Sequence, residues 1–209
     1  MQQTVFTIGH STHALEHFIS VLLLHKITAL CDVRSTPYSR VNSQFNQDDL
    51  KPILQARNIK YLFLGKELGA RSDDPICYEN GKVQYDRLAK TELFQSGLER
   101  IQSGMKQGFQ IALMCAEKEP LECHRTILVA RHLVDLGIDV QHIHANGKLE
   151  SHTDALNRLA WMFNLYGDNM FCSRDALLAD IYLRQEERIA YEENESVSAE
   201  TPRRRISVG

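Results

Sequence analysis

Ile111-Ala112-Leu113-Met114-Cys115-Ala116-Glu117-Lys118-Glu119-Pro120-Leu121-Glu122-Cys123-His124-Arg125 passes abruptly from an apolar run to a charged one. The apolar part, from Phe109 to Met114, reads as a buried strand. Thr126 to Leu136 carries apolar residues at 127, 128, 130, 133, 134 and 136, the stripe of an amphipathic helix, and Gly137 closes it as a C′ glycine. A cysteine therefore stands where a strand ends, and Cys123-His124-Arg125 stands where a helix begins. In an open parallel sheet this junction is where ligands bind.

The same strand-then-helix pattern recurs outward in both directions. Val5-Phe6-Thr7-Ile8 reads as a first strand, followed by a turn at Gly9-His10-Ser11-Thr12 and a helix from His13 to Leu24 that Ser11 or Thr12 would cap. Thr28 to Val33 is a second strand. Asn46 to Arg57 is a helix with Leu50, Ile53 and Leu54 on one face; Pro52 fits best in a first turn, which implies a late start. Ile59 to Leu64 is a third strand, and Gly65 to Gln84 has no clear period, as in a lid or binding loop. Tyr85 to Met105 is helical with a break near Gln95-Ser96-Gly97. Val140 to His144 is a fifth strand, with a turn at Asn146-Gly147. Ser151-His152-Thr153-Asp154 has capping-box spacing ahead of a helix to Tyr166, in which Trp161, Phe163 and Tyr166 read as core. A last helix spans Ser173 to Ala190.

Strands alternating with crossover helices define an α/β fold, three-layer, with a mostly parallel central sheet covered by helices on both faces. The expected organisation is one domain over residues 1–170, a C-terminal helix over 171–190 and a tail over 191–209 that lacks a core pattern and ends near Arg203-Arg204-Arg205. An apolar fraction of 43% over 209 residues supports a real core. The net charge of -3 argues against a wholly basic nucleic-acid binder. No run reaches the ~18 apolar residues of a spanning helix, so no membrane is expected. Met1-Gln2-Gln3-Thr4 lacks the features of a secretory signal, which makes a cytoplasmic location the expectation. The five cysteines, an odd number, do not suggest a disulfide scaffold: Cys31 reads as a buried small side chain, while Cys77 and Cys172 carry no recognised spacing.

The polar exits of the strands gather at one edge of such a sheet. His10 stands at the first exit. Asp32 and Arg34 share one side of the second strand's end, as a buried ion pair or as two groups facing a cleft. Arg34 offers a donor fork suited to phosphate or carboxylate, and Asp32 can orient it, orient His10 or act as a base. Ser39 and Arg40 add donors. Lys66, Glu67 and Arg71 follow the third strand, where neither the Walker nor the GxGxxG pattern occurs. At the fourth, Cys115 sits near a helix start, His124 and Arg125, all of which favour a thiolate. Cysteine phosphatases need arginine six positions after the cysteine; here that position is Leu121, and Arg125 is ten positions on. Glu117 is a candidate general acid or base. Cys115, Cys123 and His124 can also be read as metal ligands, although not at a standard finger spacing. His142 and His144, at period two, read as structural or as facing the cleft.

Thr7-Ile8-Gly9-His10-Ser11-Thr12, Asp32-Val33-Arg34-Ser35-Thr36-Pro37, Gly65-Lys66-Glu67-Leu68-Gly69, and Cys115-Ala116-Glu117 with Cys123-His124-Arg125 together resemble the DUF488 family. The resemblance covers roughly residues 4 to 165. It implies a compact α/β domain with one site assembled from distant loops, at His10, Asp32, Arg34, Lys66, Glu67, Cys115, Glu117, Cys123, His124 and Arg125, and it assigns no reaction.

The expected function is an enzyme acting on a small anionic or nucleotide-like substrate at the C-terminal edge of the sheet. In it His10, Asp32, Cys115 and Glu117 are catalytic, and Arg34, Arg40, Lys66, Glu67, Arg71, His124 and Arg125 bind substrate. The alternatives are a nucleic-acid-binding or processing module and a metal- or thiol-dependent sensor. The sequence names no cofactor and no oligomeric state.

Overall fold

Short apolar strands that cannot pair locally, joined by amphipathic helices that must bury one face, build a parallel sheet between two helical layers. The computed structural model describes residues 4–165 and 173–193. Its strands are β1 (Thr4–Gly9), β2 (Ala29–Asp32), β3 (Lys60–Phe63), β4 (Tyr78–Glu79), β5 (Lys82–Val83), β6 (Ile111–Cys115), β7 (Asp139–Ile143) and β8 (Leu149–Ser151). The helices are α1 (Leu15–Leu24), α2 (Gln47–Gln55), α3 (Gly65–Leu68), α4 (Tyr85–Leu88), α5 (Glu92–Lys106), α6 (Arg131–Asp135), α7 (His152–Met162) and α8 (Arg174–Ile189).

The main sheet runs β3-β2-β6-β1-β7-β8. Its first five strands are parallel, and β8 pairs antiparallel with β7 at the edge. Alternation along the strands divides the core. Phe6, Ile8, Leu30, Ala112 and Met114 pack with Phe18, Leu22, Leu50 and Leu54 from α1 and α2. Val5, Cys31, Val33, Leu113 and Cys115 pack with Phe94, Leu98, Ile127, Leu133, Leu159 and Ile181 from the helices of the other layer. The expected α/β architecture, mostly parallel and covered on both faces, is the one observed. No helix among the described residues is long and apolar enough to cross a membrane.

Local chemistry departs from expectation at several points. Helix α1 begins at Leu15 after Ala14, with no side-chain cap. Ser11 instead takes a left-handed turn (φ 46°) and donates its amide to the Ala116 carbonyl (2.9 Å), so it serves the loop and not the helix. Helix α2 does not start late: it carries Pro52 inside it and accepts one missing amide, offset by the full burial of Leu50 and Leu54, about 2 kcal/mol each. The break in the 85–105 helix falls at Ala89–Thr91, where Thr91 Oγ1 accepts from Phe94 N (3.2 Å) and caps α5. Gly97 lies within α5 because a side chain there would meet Leu68 and Glu67 of α3 at 2.7–2.8 Å.

The long 65–84 segment is not structureless. It holds α3, a 3-10 turn at Pro75–Cys77 and the β4/β5 hairpin, whose Asn80 and Gly81 both take positive φ as a two-residue turn demands. Tyr191 and Glu192, placed in the tail by their sequence, contact this hairpin: Val83 N donates to Tyr191 O (2.9 Å), and Lys82 bridges Glu192. Tyr166, Cys172 and Arg203-Arg204-Arg205 lie outside the described residues. Trp161 is not core but 68% exposed, on the side of α7 away from the buried Ala155 and Leu159, and Phe163 is half-buried beneath Arg188.

One buried polar thread crosses the second layer. Thr7 Oγ1 bonds His142 Nδ1 (2.8 Å), His142 Nε2 bonds His152 Nδ1 (3.1 Å), and His152 Nε2 bonds the Tyr182 hydroxyl (2.7 Å). It ties β1, β7, α7 and α8 together. His144 pairs with Glu150 on β8 (2.9 Å), so both strand histidines are structural. Burial drives His142 well below the usual histidine range and His152 down to about 4. The unfolded chain takes up a proton at each near pH 6.5, which the folded chain resists until much lower pH. Stability is therefore full above pH 6.5 and falls as the pH drops toward 4, by about 3 kcal/mol for His152 alone. Urea unfolding at pH 7.5, 5.5 and 4.5 checks this; a free energy unchanged across the series would contradict it.

Candidate functional site

The exits of β1, β2 and β6 are stitched together by backbone bonds beyond the last paired residues. His10 N donates to Cys115 O (2.9 Å) and Val33 N to Met114 O (3.0 Å). Gly9 makes the first of these possible: a Cβ there would stand 1.8 Å from the Glu117 carbonyl oxygen. Around the fused exits lies a cavity of about 450 Å³, and its wall includes His10, Arg34, Cys115, Glu117, Cys123 and His124.

One half of the site faces the α1/α2 layer. Asp32 is fully buried, and both of its oxygens are saturated: Oδ1 accepts from Arg34 N (3.1 Å) and Nε (2.9 Å), and Oδ2 from Arg34 Nη2 (2.6 Å) and the Tyr61 hydroxyl (2.6 Å). Arg34 Nη2 also donates to Phe45 O (2.8 Å), and Nη1 approaches His10 Nε2 (3.1 Å). His10 Nδ1 meets Ser11 O (2.9 Å), so the proton sits on Nδ1 and Nε2 accepts from Arg34. Burial, opposed by the Ser11 bond and joined by the Arg34 charge, brings His10 down to about 4. Its ring stacks on Phe45 at 4.4 Å. Of Arg34's five hydrogens, this arrangement leaves one on Nη1 for a ligand.

The other half faces the second layer. The chain leaves β6 at Cys115, passes through a 3-10 turn at Pro120–Glu122, and re-enters a helix whose first six residues, Arg125–Ala130, form a wider π-helical turn, all buried. π turns are frequent at functional sites. This path returns Cys123 and His124 to Cys115: His124 Nδ1 lies 3.7 Å from Cys115 Sγ and 3.8 Å from Cys123 Sγ. Nε2 of His124 donates to Val33 O (3.0 Å), which joins the two halves. Cys123 Sγ and Glu117 Oε2 share a hydrogen bond (2.9 Å), although the Glu117 side chain is 44% exposed at the mouth. Burial raises the Cys115 thiol well above its usual range. Burial opposes ionisation of Cys123 too, but the bond from Cys115 and the charges of Arg125 and His124 win and hold it well below. Desolvation and the Cys123 sulfur raise Glu117.

The remaining sequence candidates scatter. Arg125 is fully buried behind the wall, donating Nη1 to Glu117 O (2.9 Å), and does not line the cavity. Arg40 is exposed and outside it. Lys66 and Glu67 line a neighbouring cavity of about 1240 Å³, where Glu67 pairs with Arg100. Arg71 lines both cavities, its guanidinium 4.0 Å above the Tyr191 ring. Ser35 and Thr36 also line both. Tyr85 was not legible as a site residue: it opens α4, far in sequence from the exits of the main-sheet strands, yet it lines the cleft. Its buried hydroxyl makes no hydrogen bond among the described residues.

The chain belongs to the family described as domain of unknown function DUF488, whose model matches residues 14–132. The matched span holds Arg34, Lys66, both cluster cysteines and His124, and begins after His10. No curated protein and no solved structure matches the chain.

Because Asp32 and Arg34 are each other's main partners in the interior, removing one strands the other. Asp32→Ala lowers the unfolding free energy by about 3–5 kcal/mol, whereas Arg40→Ala stays within about 0.5 kcal/mol of the parent. Urea denaturation of the two variants side by side measures the contrast, and equal stabilities would refute the saturated-carboxylate picture.

Proposed function

We propose that this DUF488 member is an enzyme that acts on a small anionic substrate held in the cleft at the C-terminal edge of its sheet. The observation that carries the reading is the composition of one cavity's lining: unspent cationic and hydroxyl donors share it with a carboxylate and two thiols. Its volume, about 450 Å³, suits a small molecule, within the ~300–1,000 Å³ of ligand pockets.

The donors divide by what they have left to give. Arg34 keeps one Nη1 hydrogen, Arg71 presents a guanidinium backed by the Tyr191 ring, and the Tyr85 hydroxyl is unspent. With Ser35 and Thr36 they form a cradle for a phosphate or carboxylate. Asp32 is a positioning residue, because both its oxygens are consumed in fixing Arg34. His10 likewise positions Arg34 through an acceptor nitrogen. Proton transfer falls to Glu117, whose carboxyl lies at the mouth and is held above the usual carboxylate range. The thiol pair supplies the nucleophilic or polarising group, and the reaction class is hydrolysis or group transfer.

The test is a binding and turnover screen of the purified protein with nucleoside monophosphates and sugar phosphates. Saturable binding is expected, weakened roughly tenfold or more by Arg71→Ala, which removes a charge-assisted contact. Glu117→Gln should leave binding in place and reduce turnover of any hit by roughly 100-fold or more. Absence of saturable binding across both classes, or indifference to both substitutions, overturns the reading.

A further inference from the structure

The cluster on the thiol side of the cleft has the geometry of a metal centre. Cys115 Sγ, Cys123 Sγ and His124 Nδ1 are all buried and lie within 4.8 Å of one another. A zinc ion bonds sulfur at about 2.3 Å and imidazole nitrogen at about 2.0–2.1 Å, which for tetrahedral angles sets the S···N separation near 3.6 Å. The two S···N separations here are 3.7 and 3.8 Å. The imidazole nitrogen therefore stands from each sulfur at close to the separation that a shared ion would set.

A second observation is independent of that spacing. The Nε2–H of His124 is committed to the Val33 carbonyl (3.0 Å), which leaves Nδ1 as the ring nitrogen turned toward both sulfurs, free to bind an ion once any proton on it is released. The same arrangement of a ring N–H on a backbone carbonyl is what orients histidines that bind metals.

We propose that Cys115, Cys123 and His124 bind one Zn²⁺ ion, with the fourth coordination position open to the cleft beside Glu117. This inference stands on the cluster itself and does not depend on the anion reading; of the two roles given to the thiol pair there, it keeps the polarising one, because sulfurs bound to the ion are no longer free nucleophiles. Two thiolates and one imidazole are a soft donor set suited to zinc. Three protein ligands with a fourth position facing a cavity is the pattern of catalytic sites and not of closed structural ones. Both sulfurs bind as thiolates, with any proton still on the cluster passing to solvent, so the two thiolate charges cancel the ion's, and affinity rises with pH. Glu117 Oε2, 4.0 Å from Arg125 Nη1, then balances that fully buried cation, so the filled site is neutral overall. Two of Arg125's nitrogens, Nε and Nη2, have no partner among the described residues, which leaves its charge to be met by the anionic groups around it.

The full chain, stripped of metal and kept reduced with a non-thiol reductant, is titrated with Co²⁺ and then with Zn²⁺. One Co²⁺ per chain is expected, with tetrahedral d–d bands and a thiolate-to-cobalt charge-transfer band, both displaced by Zn²⁺. Cys123→Ser should weaken Zn²⁺ binding by at least about 100-fold, more than an outer-shell loss costs. Cys31→Ala, on β2 outside the cluster, should bind as the parent does. Circular dichroism shows whether each variant is folded, and the parent protein alone decides the matter should Cys123→Ser fail to fold. A reduced, folded parent that gives no charge-transfer band with Co²⁺ overturns the proposal, as does a folded Cys123→Ser variant that binds Zn²⁺ undiminished. Titrating the same metal-free sample with nucleoside monophosphates separates the two readings: binding there preserves the anion cleft even if the metal site fails.

Discussion

Charge buried at the carboxyl edge of the sheet is the constraint from which the site follows. A carboxylate with no access to water costs several kcal/mol unless its lone pairs are filled. Asp32 meets that demand with four hydrogen bonds, three of them from Arg34. Satisfying Asp32 in turn fixes Arg34, and Arg34 fixes its neighbours: Nη2 takes the Phe45 carbonyl and Nη1 takes His10. Phe45 closes the 3-10 turn of Ser43–Phe45 and carries the His10 ring on its own. One ion pair thus orders the exits of β1 and β2 and the approach to α2, and little of its hydrogen-bonding capacity remains for a ligand.

The other face of the sheet solves the same problem differently. Arg125 is as deeply buried as Asp32, but it receives only the Glu117 carbonyl and a distant carboxylate. The neighbouring groups that can carry negative charge are the thiols and Glu117. Strand alternation explains why the two solutions do not interfere. Leu30 and Asp32 face α1 and α2, while Cys31 and Val33 face the helices of the second layer, with Cys115 among them. The cleft straddles the edge, so it draws a saturated cationic system from one face and a reactive, undersaturated one from the other. The bond from His124 to Val33 O is the bridge between them.

How much of this could be read in the sequence depended on whether a feature was local. The core strands and the long helices were legible because their periodicity lies within one segment. The α4/α5 break was misplaced because Gly97 looks like a breaker, whereas it is a packing contact with α3 that only the tertiary structure reveals. The edge strand β8 is too short to carry a period, and the Asn80-Gly81 turn was passed over inside a segment read as featureless. Trp161 was misjudged because a helix at the surface can expose one large ring without disturbing its stripe. Among site residues, strand-exit position located His10, Arg34, Cys115 and Glu117 on the cavity wall, with Asp32 buried behind Arg34. It could not tell which were already spent, because saturation is a count of partners from other elements. The same limit put Arg125 and Glu67 among the ligand-binding candidates, although one is sealed in the core and the other is paired with Arg100.

The thiol cluster shows why spacing signatures miss some sites. Familiar zinc motifs place two cysteines within a single tight turn, so their proximity is encoded locally and shows up as a fixed interval. Here the interval from Cys115 to Cys123 is long because the chain leaves a strand, turns through Pro120–Glu122 and comes back at the start of a π-helical turn. Adjacent residues such as Cys123 and His124 point apart in a strand or a regular helix. They converge here because Cys123 is still extended (φ -140°, ψ 139°) while His124 has already turned helical (φ -57°, ψ -28°). The change of backbone conformation between these two residues swings the imidazole back over its neighbour's sulfur. The chemistry is thus set by a conformational boundary, and the residue pair that marks it, Cys123-His124, carries the signal that the interval does not.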